Sequence, residues 1–186
     1  AHQLSPDGFM VLKALRDKGG DITDFIWEYA NSAGAEMVGH FIKDLIGSRM
    51  LDRLPGNKEE GLFDAYIEVV NTGRTFKTVR RYTHDGLDFW TEITAIKLAD
   101  GIAVSFSDIS ENIQRDLEIK ENERRLNIAL NAARLGVWDL DPIAKSSERS
   151  LRHDEIFGYP EGKKNWSQDD FVDHISPDYR EEMVAE

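Results

Sequence analysis

The chain has no cysteine. That excludes disulfides, thiolate-held zinc, thiol nucleophiles and any chromophore attached through a cysteine. No apolar run approaches the roughly 18 residues that a membrane-spanning helix needs, and no leader of the secretory kind opens the chain. Basic residues are in deficit: 23 Lys plus Arg stand against 35 Asp plus Glu, a formal charge of −12. Without a clustered basic face the chain cannot neutralise phosphates, so nucleic acid is excluded as a partner. No direct membrane contact is expected of this segment. Its expected location is the cytoplasm, whether or not a parent protein is membrane-anchored.

What remains is an ordinary globular balance, with 40% apolar and 31% charged residues, far from the composition of disordered chains. The length allows one large domain, or one complete domain and part of another. A complete unit of about 110 residues buries a workable core without covalent staples. The sequence begins Ala1-His2 and stops at Val184-Ala185-Glu186 in mid-pattern. It is therefore expected to be a piece of a longer protein.

Three zones follow from the patterning: a mixed strand and helix domain over 1–110, a polar helix without Gly or Pro over 111–134, and a second mixed segment over 135–186. In the first zone Gly8–Arg16 is a β-rich run stopped by the turn Lys18-Gly-Gly-Asp21. Phe25–Tyr29 is a second such run, closing at Asn31. Residues 32–39 predict a brief helix stopped by Gly39. Leu62, Phe63, Tyr66, Ile67 and Val70 recur at helical spacing up to Asn71-Thr-Gly73. Three strands then follow, Thr75–Thr83, Leu87–Leu98 and Ile102–Phe106. Turns at His84-Asp-Gly86 and Ala99-Asp-Gly101 separate them, in which Asp-Gly supplies the positive φ of a primed hairpin. The expected fold class is α+β: a five-stranded antiparallel sheet with its helices inserted after the second strand.

That order, ending in Phe106-Ser-Asp108-Ile109-Ser110-Glu111, resembles a PAS domain. Asp108, Ile109 and Ser110 with Glu111 match the family's terminal Asp-Ile-Thr-Glu signature, with Ser for Thr. Asn31, in Tyr-Ala-Asn-Ser-Ala-Gly, sits where the family usually has an Asn after its second strand. The resemblance covers residues 5–111. The third zone is similar to the opening of another PAS domain, through residues 126–141, 149–159 and 171–180. This copy stops before its last three strands, and a half-sheet with an open edge is marginal unless it pairs.

In the connecting helix, Ile113 and Leu117 form one short apolar stripe and Ile119, Leu126, Leu130 and Ala133 another. Ser110 is the expected N-cap, its hydroxyl accepting an early backbone N–H. Two readings stand: a solvated linker helix, or a parallel dimeric signalling helix. The resemblance implies that such helices join PAS domains to a downstream effector domain of the same chain, in a homodimer. It further implies a sensory or dimerisation segment of a bacterial sensor histidine kinase. The alternatives are the input of a diguanylate cyclase or phosphodiesterase, or a ligand-free dimerisation spacer.

The motifs of catalysis are missing. His84-Asp85 and His153-Asp154, with His40 and His174, would suit a metal phosphohydrolase only if they projected together from a helical bundle, and the first pair lies in a two-strand turn. Gly19-Gly20-Asp21 lacks the Glu-Phe of a cyclic-dinucleotide synthase. Pro55-Gly56-Asn57-Lys58 lacks the second glycine and the Lys-Ser/Thr ending of a phosphate loop, and no Gly-x-Ser-x-Gly occurs. No residue is assigned to catalysis or to a metal.

Binding is left. Alternation places Phe89, Thr91, Ile93 and Ala95 on the helix-facing side of their strand, and Phe25, Trp27, Tyr29 and Asn31 on one side of theirs. With Tyr66 from the helix, Trp27, Asn31, Phe89, Thr91 and Ile93 are the candidate lining of a pocket. Thr78 and Arg80 are its candidate polar handles. The same aromatics also make an ordinary core. The resemblance excludes a cysteinyl flavin and disfavours haem, because the helix before the third strand has no His. A non-covalent small molecule remains.

Overall fold

In a computed structural model of the chain, residues 6–141, 146–164, 166 and 168–180 are described. Two compact units divide the sequence, 1–117 and 118–186.

The first unit is built on five antiparallel strands: β1 (Gly8–Arg16), β2 (Ile22–Ala30), β3 (Phe76–Tyr82), β4 (Phe89–Lys97) and β5 (Gly101–Asp108). They lie in the order β2-β1-β5-β4-β3. Between β2 and β3 come α1 (Ser32–Met37), α2 (Ile42–Leu45), α3 (Met50–Arg53), α4 (Gly56–Glu59) and α5 (Leu62–Thr72). The α+β expectation, with its helices after the second strand, is met. The three four-residue turns α2 to α4 are absent from the sequence reading, since one helical turn leaves no periodicity to detect.

Alternation along β1 buries Met10, Leu12 and Ala14 and turns Phe9 and Lys13 outward. On the buried face Phe25 meets Phe63 and Tyr66 edge to face, at 5.9 and 6.3 Å between ring centres. Such pairs add about 1 kcal/mol each beyond their area burial. In β2 the alternation breaks. Leu12 pairs with Trp27 but Val11 pairs with Tyr29, so Glu28 is an extra residue in a β-bulge. The bulge turns Ala30 into the core and leaves Tyr29 exposed, contrary to the single parity read for Phe25 to Asn31.

The two Asp-Gly turns differ. Asp85 and Gly86 both have positive φ (58° and 77°) and the Leu87 N–H donates to the His84 carbonyl, as a primed hairpin requires. In the second turn the positive φ falls on Ala99, at 50°. Gly101 is needed for another reason: a Cβ there would lie 2.1 Å from the Leu12 carbonyl oxygen on β1.

Asn31 closes β2 and starts α1. Its Oδ1 accepts from the Gly34 N–H (2.8 Å) and from the Phe9 N–H (2.9 Å), while its Nδ2 donates to the Asp7 carbonyl (2.8 Å). One carboxamide thus caps a helix and extends the β1–β2 pairing.

The long helix α6 (Ser110–Ala132) buries no residue. Ion pairs Glu111–Arg115, Glu121–Arg124 and Glu121–Arg125 lie along it, each worth only a few tenths of a kcal/mol. Leu117, Ile119, Leu126 and Ile128 are exposed. No helix among the described residues is long and apolar enough to cross a membrane.

The second unit pairs β6 (Trp138–Asp141) with β7 (Ser146–Arg149), followed by α7 (Leu151–Ile156) and α8 (Gln168–Asp173). Among its described residues only His153 and Asp154 are buried. Asp154 accepts from the Arg149 guanidinium (3.0 Å), the Lys163 N–H (2.9 Å) and the His153 ring (3.1 Å). Burial alone would raise this carboxyl, but the Lys163 N–H, His153 and Arg149 outweigh it and hold it at about 2.

Two outcomes follow. Asn31→Ala leaves the Phe9 N–H without its partner and α1 uncapped, so it lowers stability by about 2 kcal/mol, measured by chemical denaturation. Asp154 is ionised in both folded and unfolded chains above about pH 4, and its stabilising effect is lost as pH falls through about 2. Asp154→Asn is therefore less stable than the parent at pH 7. The difference closes between about pH 4 and 2, read from the Trp166 indole signal by NMR during thermal unfolding.

Candidate functional site

The concave face of the sheet and the helices α1 to α5 do not meet everywhere. Between them lies a cavity of about 60 Å³. Met10, Leu12, Trp27, Val104 and Phe106 form its floor with Phe89, Thr91 and Ile93 from β4. Met50, Leu54, Asn57, Leu62 and Tyr66 roof it, and Tyr82 and Leu87 close one side. The wall contains no charged side chain.

Five of the eight predicted binding residues are brought together here: Trp27, Tyr66, Phe89, Thr91 and Ile93. The other three lie elsewhere. Asn31 is engaged with backbone at the start of α1. Thr78, paired with Ile93 on edge strand β3, is half-buried away from the lining. Arg80 sends its Nη1 to the Glu60 carbonyl (2.7 Å) and lies 3.7 Å from the Glu60 carboxylate. It anchors the end of α4 through Nη1, while its buried Nε has no hydrogen-bond partner. Met10 and Leu12 were missed although the alternation of β1 carries them, whereas Met50, Leu54 and Asn57 come from the single-turn helices and carry no periodic signal.

Two lining residues stand apart. The Trp27 Nε1 and Thr91 Oγ1 are buried and have no hydrogen-bond partner; the two residues are only 3% and 2% exposed. A buried donor left unmade costs about 1–3 kcal/mol, so native chains rarely keep one without a reason. Tyr66 is buried too, and desolvation outweighs the nearby Arg80 and pushes its phenol far above the ordinary range, which keeps it a donor at neutral pH.

Charged groups near the cavity bind each other instead. The Tyr82 hydroxyl donates to Asp85, and Asp85 also accepts from the Gly56 N–H (3.2 Å). Burial first, then Asp85, raises the Tyr82 phenol far above its usual range. His84 lies 3.1 Å from Glu59 and 3.0 Å from Glu60. These contacts dock the β3–β4 turn on α4, where a Cβ on Gly56 would lie 2.2 Å from that of His84. Close packing explains the Pro-Gly-Asn sequence that mimics part of a phosphate loop. No group of three or more His, Asp or Glu side chains able to hold a metal occurs among the described residues.

The terminal motif forms the corner from β5 into α6. Asp108 Oδ1 accepts from the Ser110 N–H (2.8 Å), and Ile109 N–H donates to the Trp90 carbonyl (2.8 Å). Ser110 Oγ accepts from the Trp90 N–H (2.9 Å), not from an early N–H of its own helix as expected of an N-cap. The reason is local: Trp90 lies one residue beyond the β4–β5 ladder, which begins at Thr91 and Asp108, and its polar groups need partners there.

Residues 23–114 match the family model described as the PAS fold. With the sheet order and the terminal corner, this makes the first unit a PAS domain. No curated protein matches the chain. Among solved structures, a domain of a sensory box sensor histidine kinase/response regulator from Geobacter sulfurreducens is 18% identical, covers 57% of this chain and 85% of its own, and has a TM-score of 0.42. A PAS domain from Colwellia psychrerythraea is 21% identical, with coverages of 59% and 91% and a TM-score of 0.41. The PAS domain of Bordetella pertussis BvgS is 18% identical, with coverages of 66% and 86% and a TM-score of 0.41.

Replacing an unpartnered hydroxyl by a methyl of the same shape removes a desolvation cost and little else. Thr91→Val accordingly stabilises the ligand-free protein by about 1 kcal/mol, seen as a higher denaturant midpoint at unchanged slope.

Proposed function

We propose that this chain is an input segment of a bacterial signal-transduction protein, in which the first unit binds a small molecule and α6 carries its occupancy onward. One observation carries this reading. Thr91, whose buried hydroxyl lacks a partner in the cavity wall, is the strand neighbour of Trp90, and Trp90 holds the first residues of α6 by its N–H and C=O. A ligand bonding to Thr91 bears on the peptide that fixes the origin of the helix. Such a device works when the ligand binds one of two arrangements better than the other.

The parent we propose is a sensor histidine kinase, with a diguanylate cyclase or phosphodiesterase as the alternative. The second unit is read as the N-terminal part of another PAS domain, and its two-strand sheet as the start of a larger one. The active form is read as a homodimer along α6, because Leu117, Ile119, Leu126 and Ile128 are exposed on a helix that buries nothing. The same exposed residues favour a second reading, a ligand-free dimerisation spacer.

Mass spectra of the purified chain under native and then denaturing conditions separate the two. A small-molecule mass seen only natively supports the sensor and gives its ligand class. The bare chain mass in both states overturns it, and twice that mass natively then leaves the spacer.

A further inference from the structure

We infer that the ligand of this cavity is a small neutral carbonyl compound, of the size of a short-chain ketone or amide. This rests on the ligand-sensing reading above and narrows it by size, charge and hydrogen bonding.

Size comes first. An engineered apolar cavity of about 150 Å³ takes benzene, so the enclosed part of this partly open pocket, about 60 Å³, holds a group smaller than a six-carbon ring. Flavins and other cofactors of that scale need several times more room. Met10 and Met50 in the wall give it some freedom of shape.

Charge is decided by the wall. An ion entering would lose its water and meet no counter-charge, at a cost of several kcal/mol. The nearest ionic groups lie outside the lining and pair with one another or with backbone, Arg80 with Glu60, His84 with Glu59 and Glu60, and Asp85 with Tyr82 and Gly56, although the buried Arg80 Nε keeps no hydrogen-bond partner. A full charge is therefore disfavoured, because the lining itself supplies no counter-charge.

Hydrogen bonding names the functional group. The indole Nε1 of Trp27 donates and cannot accept. The Thr91 hydroxyl can do either, and the Tyr66 hydroxyl is a protonated donor. The Asn57 amide is committed as a donor to the Leu54 carbonyl (3.2 Å). Of the two unpartnered groups in the wall, one can only donate and the other is able to donate, and a carbonyl oxygen with its two lone pairs answers both. A pure hydrocarbon leaves both buried groups as they are.

Three probes test this on the 186-residue chain: acetone, its hydrocarbon isostere 2-methylpropene, and acetate. Each is titrated while the Trp27 indole N–H is followed by NMR, the signal being assigned with Trp27→Phe. The ketone is expected to shift this signal saturably and to bind at least tenfold more tightly than either competitor, since a site built to hydrogen-bond discriminates strongly against an analogue that cannot. Thr91→Val should weaken the ketone about tenfold and leave the alkene unchanged, and Thr91→Ser should restore the ketone. If the alkene or acetate binds as well as the ketone, the carbonyl assignment is wrong while a ligand site remains. If none of the three shifts the signal, the cavity holds water alone and the sensing reading falls with it.

Discussion

The carboxamide of Asn31 is the contact on which the rest of the first unit depends. It stands where the chain leaves the sheet, and it must satisfy three backbone groups from two directions. Its oxygen sets the entry of α1, and its nitrogen holds the segment leading into β1. Because α1 leads the helical layer over the concave face, the height of that layer above the sheet starts from this one side chain.

The cavity also departs from the economy of an ordinary core. Apolar packing could have used valine for Thr91 and phenylalanine for Trp27, with no polar atom left over. Keeping the polar atoms sacrifices stability, and sites that do so are where function is expected to lie. Just outside, the opposite strategy holds. Arg80 and His84 pair with Glu59 and Glu60, and Asp85 accepts from Tyr82 and the Gly56 N–H, so charge is kept at the rim and out of the pocket lining.

Much of this was legible in the sequence, for identifiable reasons. Period-two alternation located Phe89, Thr91 and Ile93 because β4 is regular along its length. It misplaced Tyr29 because a bulge of one residue reverses every later position, and nothing in Ile-Trp-Glu-Tyr announces a bulge. Thr78 and Arg80 do lie on the inward parity of β3, but β3 is the edge strand, so inward there means the rim. Arg80 is long enough to reach Glu60 from that position. Gly101 was read as a turn glycine, and its true role, the approach of β5 to the Leu12 carbonyl, is a long-range fact that no local pattern carries. Ser110 was assigned to its own helix for the same reason, since its partner lies twenty residues earlier in the chain.

The corner at Asp108 to Ser110 has a mechanical consequence. A helix of 23 residues is about 35 Å long at 1.5 Å per residue, and here it is clamped near one end by two bonds to a single peptide. It is a lever whose pivot lies beside the cavity wall. A rocking of about 5° at the pivot carries the far end through about 3 Å. A displacement of Trp90 too small to disturb the β4–β5 ladder would thereby be magnified along the length of α6.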